Sequence, residues 1–189
     1  IGDKENSNAD STLVSTKRSL IFNELNKELY KKFFLTVDEL QVSGIMMDPN
    51  NGDILALIGG VDYVKSEYNR AVMSKRQVGS TLKPFLYYAA LENGFTESTT
   101  FTSEETTFVF SNDKTYSPAN YNNKYGNKNI TMAAALAYSE NIYAVKTHLF
   151  LGEETLVEML KRVGITSNLE AIPSLALGSE EISLIEMIN

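Results

Sequence analysis

The apolar positions of this chain change their spacing several times, and each change marks an element. Leu82, Phe85, Leu86, Ala89 and Ala90 fall at i, i+3, i+4, i+7 and i+8, one stripe with helical period. Glu92-Asn93-Gly94 supplies the stop, because glycine takes the left-handed conformation that ends many helices. Pro84 is tolerated only near a helix start, where its missing N–H matters least, so Ser80 sits at or just before the first turn. The small-residue run Ala133-Ala134-Ala135-Leu136-Ala137 reads as a second helix with Thr131 as its N-cap. Residues 142–150 read as a third, stopped by Gly152. Leu156, Met159, Leu160 and Val163 form the stripe of a fourth over 153–163, stopped by Gly164. A last helix begins at Leu184, capped by Ser183 or Ser179. Near the start of the chain, Leu20, Phe22, Leu25, Leu29 and Phe33 alternate with Lys and Glu over 20–34, as in an amphipathic helix. Residues 1–13 are polar and aperiodic and read as linker.

Strand signals are fewer. Residues 42–47 and 53–58 read as two strands, and Asn50-Asn51-Gly52 between them is a hairpin signal. The Thr- and Phe-rich stretch 99–110 can hold extended segments, whereas the Asn-, Tyr- and Gly-rich stretch 111–129 reads as loop. The pattern implies an α+β arrangement, with one sheet that carries the hairpin and packs against helices, the Ser80 helix among them.

Composition works mainly by exclusion. The 189 residues, 43% hydrophobic, are enough to bury a sizeable core. A net charge of −7, with no face lined by Lys and Arg, argues against nucleic-acid binding. The absence of cysteine excludes disulfides, thiol catalysis and Cys-based zinc sites. The single histidine, His148, lies in an apolar helix and reads as a packing residue, so no Ser-His-Asp triad can be built. The longest apolar runs, 85–91 and 132–138, are too short to span a bilayer.

Two short patterns carry candidate chemistry. In Ser80-Thr81-Leu82-Lys83 a hydroxyl and an amine lie three residues apart, on one helix face and off the apolar stripe. The partial positive charge of a helix N-terminus favours a developing oxyanion. An amine kept neutral by burial or by nearby cations can take the hydroxyl proton. Alone, S-x-x-K is weak evidence and more often describes a Ser N-cap followed by a solvated Lys. Ser139-Glu140-Asn141 interrupts a helical region and can aim a hydroxyl and an amide into a cleft. The hydroxyl can relay a proton, and the amide can hold a peptide carbonyl or fix a lysine. Alone, it better describes a polar kink with local side-chain-to-backbone bonds.

Together these segments resemble the penicillin-binding transpeptidases, serine acyl-transferases with ordered S-x-x-K, S-x-N and K-T-G motifs. The likeness extends to Asp48-Pro49-Asn50-Asn51-Gly52-Asp53 and the strand after it, and to Tyr68-Asn69-Arg70-Ala71. Lys75-Arg76-Gln77-Val78-Gly79-Ser80 resembles the approach to the nucleophile in the bifunctional class A members. Tyr116-Ser117-Pro118-Ala119-Asn120-Tyr121 and residues 126–131 resemble the segment before S-x-N. Leu177-Gly178-Ser179, with Leu184-Ile185-Glu186-Met187, resembles a later family segment. The resemblance covers 40–189.

The resemblance implies an α+β transpeptidase fold like that of the serine β-lactamases, with residues 1–35 leading into a domain over 36–189. It implies a D,D-transpeptidase that cross-links peptidoglycan stem peptides ending in D-alanyl-D-alanine and is acylated by β-lactams, with no metal or organic cofactor. Ser80 would be the nucleophile, Lys83 the base, Ser139 a proton shuttle, and Asn141 a ligand of Lys83 or of the substrate amide. Tyr116 and Asn120 would border the substrate, and Lys75 and Arg76 the cleft. No K-T-G is present; Lys146-Thr147-His148 has His in place of glycine and lies in a helical segment. The K-T-G strand is therefore expected on residues outside this sequence, in a companion chain that completes the domain and leaves this part with an open sheet edge. The expected location is the outer face of a bacterial membrane, anchored by a segment outside this sequence. A serine β-lactamase is an alternative; Glu153 and Glu154 are its nearest water-activating carboxylates, without the Asn that should follow. A β-lactam sensor or a catalytically inactive wall-binding module is another.

Overall fold

The computed structural model describes residues 40–111 and 113–188. The expected linker over 1–13, the amphipathic helix over 20–34 and the 1–35 segment lie outside the described residues. From Val42 onward the described residues belong to one compact unit.

The first two strands, β1 (Gly44–Met47) and β2 (Ile54–Ile58), form the expected antiparallel hairpin. Its turn is closed by Asp48: the backbone N–H of Gly52 donates to its carbonyl at 2.9 Å, and the N–H of Asn50 donates to its carboxylate at 2.9 Å. Gly52 sits at φ 77°, where glycine is unstrained. Met46 pairs with Ala56 but Met47 with Ile54, a bulge that leaves Leu55 outside the ladder.

A short helix, α1 (Arg70–Met73), follows, N-capped by Asn69. Next come β3 (Lys75–Gln77), a 3₁₀ turn at Gly79–Leu82 and α2 (Lys83–Glu92), with Pro84 in its first turn. Leu82, Leu86, Ala89 and Ala90 of the predicted stripe are buried. Gly94 at φ 89° ends α2, and the N–H of Phe95 reaches back to the Ala90 carbonyl at 3.0 Å. Strands β4 (Thr100–Ser103) and β7 (Lys128–Thr131) pair with each other, as do β5 (Phe108–Val109) and β6 (Thr115–Tyr116). Thr131 caps α3 (Met132–Ala137) as expected, accepting from the Ala134 N–H at 3.2 Å. Helices α4 (Asn141–Leu151) and α5 (Glu153–Arg162) complete the helical layer. A second 3₁₀ turn at Pro173–Leu177 precedes β8 (Glu181–Ser183), which pairs with β3, and α6 (Leu184–Ile188).

The core lies among α2, α3, α4, α5 and the Pro173–Leu177 turn, with Leu82, Leu86, Tyr143, Leu156, Leu160 and Leu175 at its centre. Three expectations need correction. The described strands form four separate two-stranded ladders rather than one sheet, and the hairpin packs on α6 rather than on the Ser80 helix. Strand β2 is exposed along its length, with Leu55 62% and Ile58 59% accessible, so its continuous apolar run has no core to enter among the described residues. The 111–129 stretch is not all loop: it holds β6 and the first residues of β7.

Helix α6 is tied down by one carboxylate. Glu186 accepts from the N–H and hydroxyl of Thr166 (2.9 and 2.8 Å), of Ser167 (both 2.8 Å) and of Ser183 (3.1 and 2.7 Å). With Ser183 before the helix and Glu186 three residues on, the carboxylate that reaches back to the Ser183 N–H makes one half of a capping box, whereas Ser179 instead bonds Ser174. Burial pushes the Glu186 carboxyl up, but the bonds from Ser183, Thr166 and Ser167 outweigh it and hold it well below the usual carboxylate range. A depressed folded-state value stabilises above the unfolded one, so this contribution is lost as pH falls below about 4.3. Glu186→Gln should lower unfolding free energy by roughly 1–3 kcal/mol at pH 7, with the gap from the parent narrowing in acid. Denaturant melts at pH 7 and at about pH 2 measure this, since the contribution is lost only as pH approaches the low folded-state value; equal midpoints at pH 7 would refute it.

Candidate active site

The two motifs meet across α2 and the α3–α4 junction. Ser80 lies in the 3₁₀ turn before α2 and is exposed. Its backbone carbonyl accepts from the Lys83 N–H, and the Thr81 hydroxyl donates to the Val78 carbonyl at 2.6 Å, which fixes the turn. Gly178 closes on this turn from the other side: the Gly79 N–H donates to its carbonyl at 3.0 Å.

Lys83 is 1% exposed. Its ammonium donates to the Ser139 carbonyl at 2.6 Å, the Ser139 hydroxyl at 3.1 Å and the Asn141 Oδ1 at 2.7 Å. Three N–H groups therefore meet three oxygens, all from Ser139-Glu140-Asn141. Among the described residues no hydrogen bond joins the Ser80 hydroxyl to Lys83. Ser139 holds φ 53°, an uncommon conformation for a residue with a side chain, in a turn where its carbonyl and hydroxyl serve the same amine. Burial draws the Lys83 amine down from 10.5 to about 8, although the nearby Glu140 charge opposes the shift. An amine of this kind is intrinsically a weaker base than an ordinary lysine, but at neutral pH a larger share of it is neutral and free to take a proton.

Asn141 is held in turn. Its Nδ2 donates to the Ala119 carbonyl at 2.7 Å, and its backbone N–H donates to the Asn120 Oδ1 at 2.8 Å. Asn120 is buried, and its Nδ2 donates to Glu140 at 2.7 Å and to the Lys124 carbonyl at 3.1 Å. The structure thus places Asn120 behind the S-x-N turn, with its amide committed to protein partners. Tyr116 is half-buried in β6 and packs against the core, and burial raises its hydroxyl pKa. Lys75 and Arg76 are exposed on β3. His148 is fully buried in α4, with Nε2 3.1 Å from the Ile172 carbonyl; burial lowers its pKa, which favours a neutral packing residue. Glu153 and Glu154 occupy the first turn of α5.

A pocket of about 490 Å³ opens beside the junction, bounded by Glu105, Ser117, Ala119, Asn123, Tyr125 and Asn127. Ala119 forms part of its wall and holds the Asn141 amide on the other side. Hydroxyls, amides and one carboxylate line it. Among the described residues no group of His, Asp and Glu side chains could hold a metal ion, and no helix is long and apolar enough to cross a membrane.

Sequence reasoning missed two residues of this arrangement. Glu140 caps α4 by accepting from the Tyr143 N–H, although Glu is not a usual N-cap residue. Gly178 carried a family likeness but no role; its position beside Gly79 depends on a contact across about half the chain.

Residues 42–172 match the family described as penicillin binding protein transpeptidase domain. Penicillin-binding protein 2D of Bacillus subtilis is 54% identical over 152 residues, which are 80% of this chain and 22% of that protein. Penicillin-binding protein 1A of Aquifex aeolicus is 38% identical over 153 residues, 80% of this chain and 21% of that protein. The chain thus spans about a fifth of the length of the curated relatives it matches. The crystal structure of penicillin-binding protein 1A from Haemophilus influenzae superposes with a TM-score of 0.73 at 32% identity, over 77% of this chain and 22% of that one.

Proposed function

Because this chain belongs to the penicillin-binding protein transpeptidase family, we propose that it carries the serine acylation centre of a peptidoglycan D,D-transpeptidase. The observation that supports this best is the set of three bonds from a buried lysine to the S-x-N turn, one helical turn from an exposed serine. In this reading the Ser80 Oγ attacks the penultimate D-alanine carbonyl of a stem peptide while Lys83 takes the hydroxyl proton. The Ser80 N–H, in the 3₁₀ turn before α2, donates to the developing oxyanion; a second donor belongs to a K-T-G strand outside residues 1–189. Ser139 passes the proton from Lys83 to the leaving amine, D-alanine departs, and a serine ester remains. The amine of a second stem peptide then attacks the ester, and Ser80 regains its proton. The pocket beside Ala119 and Asn141 takes one of these peptides, with Tyr116 and Asn120 supporting its wall. Penicillins acylate Ser80 as mimics of the D-alanyl-D-alanine end. The reaction takes place at the outer face of the bacterial membrane and uses no cofactor.

Incubating the intact protein with penicillin and following its mass tests this reading. A stable one-drug adduct on Ser80 is expected. An adduct that decays as drug is consumed would mean a β-lactamase, and no adduct would overturn the proposal. A stable adduct without cross-linking of stem peptides would favour a sensor.

The acylation rate should also follow the Lys83 proton. With its pKa near 8, about a tenth of the amine is neutral at pH 7, so the rate should rise about tenfold between pH 7 and pH 9 with a midpoint near 8. A flat profile over this range would remove Lys83 as the base.

A further inference from the structure

We propose that Glu140, the middle residue of the Ser139-Glu140-Asn141 turn, is a positioning residue for the acylation centre. Its buried carboxylate locks the α4 start and Asn120 so that Ser139 and Asn141 present their oxygens to Lys83. The inference rests on the acylation reading above and assigns a task to a position that the S-x-N pattern leaves open.

Glu140 is 7% exposed. A carboxylate so placed is costly unless it is well bonded. Its Oε1 accepts from the Ser103 hydroxyl at 2.6 Å and the Asn120 Nδ2 at 2.7 Å, and its Oε2 accepts from the Tyr143 N–H. A plain cap needs only the last of these, and a shorter Ser or Asp supplies it at most helix starts. The longer Glu side chain reaches past the cap to β4 and to the segment before S-x-N, joining three stretches of chain.

From Glu140 an unbroken series of bonds leads to the amine. Glu140 holds the Asn120 Nδ2, the Asn120 Oδ1 holds the Asn141 N–H at 2.8 Å, and the Asn141 Oδ1 holds Lys83 at 2.7 Å. Ser139, strained at φ 53°, sits immediately before Glu140, so the same anchor fixes both residues that bond Lys83.

The carboxylate also acts through charge. From α2 it faces Lys83 and Tyr87; from α4, Tyr143; from β4, Ser103; and from the connecting segment, Asn120. Lys146, further along α4, turns to the Thr102 carbonyl at 2.8 Å and to Glu104 at 3.9 Å. Burial raises the hydroxyl pKa of both Tyr87 and Tyr143, so neither carries charge at neutral pH. Glu140 therefore acts on the protonation of Lys83, opposing the desolvation that lowers it.

The test uses the intact protein with [13Cε]-lysine, the Lys83 signal being assigned by its absence from Lys83→Arg. Glu140→Gln removes the charge and leaves one donor unmatched. The Lys83 midpoint should fall from near 8 by roughly one unit. Acylation at pH 9, where the amine is neutral in both proteins and the rate isolates positioning, should fall about tenfold or more. Glu140→Asp keeps the charge and should hold the midpoint near the parent value while recovering part of the rate. Asn120→Ser cuts the bonded series but keeps the carboxylate, so it should slow acylation with little change in midpoint; it also covers a Glu140→Gln protein that fails to fold. An unmoved midpoint in Glu140→Gln, or a native rate in Asn120→Ser, would overturn the proposal. The titration needs no acylation, so a parent protein that never forms an adduct would sink the transpeptidase reading while the Glu140–Lys83 coupling is still read out.

Discussion

Lys83→Ala is expected to slow acylation by penicillin about 10²- to 10⁴-fold, and Ser80→Ala to abolish it. Three bonds hold Lys83 against Ser139 and Asn141, and burial lowers its proton affinity. Alanine removes the acceptor for the hydroxyl proton and leaves the Ser139 carbonyl and Asn141 Oδ1 without their shared donor. Lys83→Arg should not rescue the rate, because a guanidinium stays protonated at any working pH and cannot serve as base. Pre-steady-state labelling with a fluorescent penicillin measures the rate, and a thermal melt of each variant checks folding. A folded Lys83→Ala protein that acylates within threefold of the parent would refute the base assignment. A folded Ser80→Ala protein that still forms an adduct would move the nucleophile elsewhere.

Much of this centre is legible in the sequence because its parts announce themselves locally. Pro84 after Lys83 and the stripe from Leu82 to Ala90 fix the helix and its start, and so the turn of chain that separates Ser80 from Lys83. Thr131 before an alanine run, and Gly152 after an apolar segment, bound the two helices between which Ser139 turns. The hairpin is equally plain from Asn50-Asn51-Gly52.

What escapes is non-local. Strands β3 and β8 have three residues each, too short for an alternating pattern, and their pairing spans the length of the helical core. Strand β6 has two residues inside an Asn- and Tyr-rich stretch that composition marks as loop. Asn120 looks like a rim residue by its neighbours, yet 20 residues separate it from the Glu140 carboxylate that occupies its amide. The apolar run of β2 reads as a strand, but sequence cannot say what covers it, and among the described residues it lies exposed.

Gly178→Ala should disable acylation even though residue 178 touches no reacting atom. Gly178 holds φ 69°, where a side chain costs on the order of 1–2 kcal/mol. A Cβ there would lie 2.1 Å from the Gly79 carbonyl oxygen, 2.4 Å from its nitrogen and 2.7 Å from its carbonyl carbon. These are backbone atoms that cannot swing aside as a flexible side chain would, and the Gly79 N–H bond to the Gly178 carbonyl would break as they move. The displaced residue is the neighbour of Ser80, and the β3–β8 ladder leaves the two segments little room to separate. Misplacing a nucleophile by about 1 Å is enough to cost on the order of 100-fold, so acylation should fall at least that far, with a lower melting temperature. Gly79→Ala provides the contrast. That residue also holds a positive φ, 59°, but nothing lies within 4 Å of its Cβ, so it carries backbone strain without the clash and should lose less on both measures. If Gly178→Ala acylates as fast as Gly79→Ala, close packing of the two glycines is not what holds Ser80 in place.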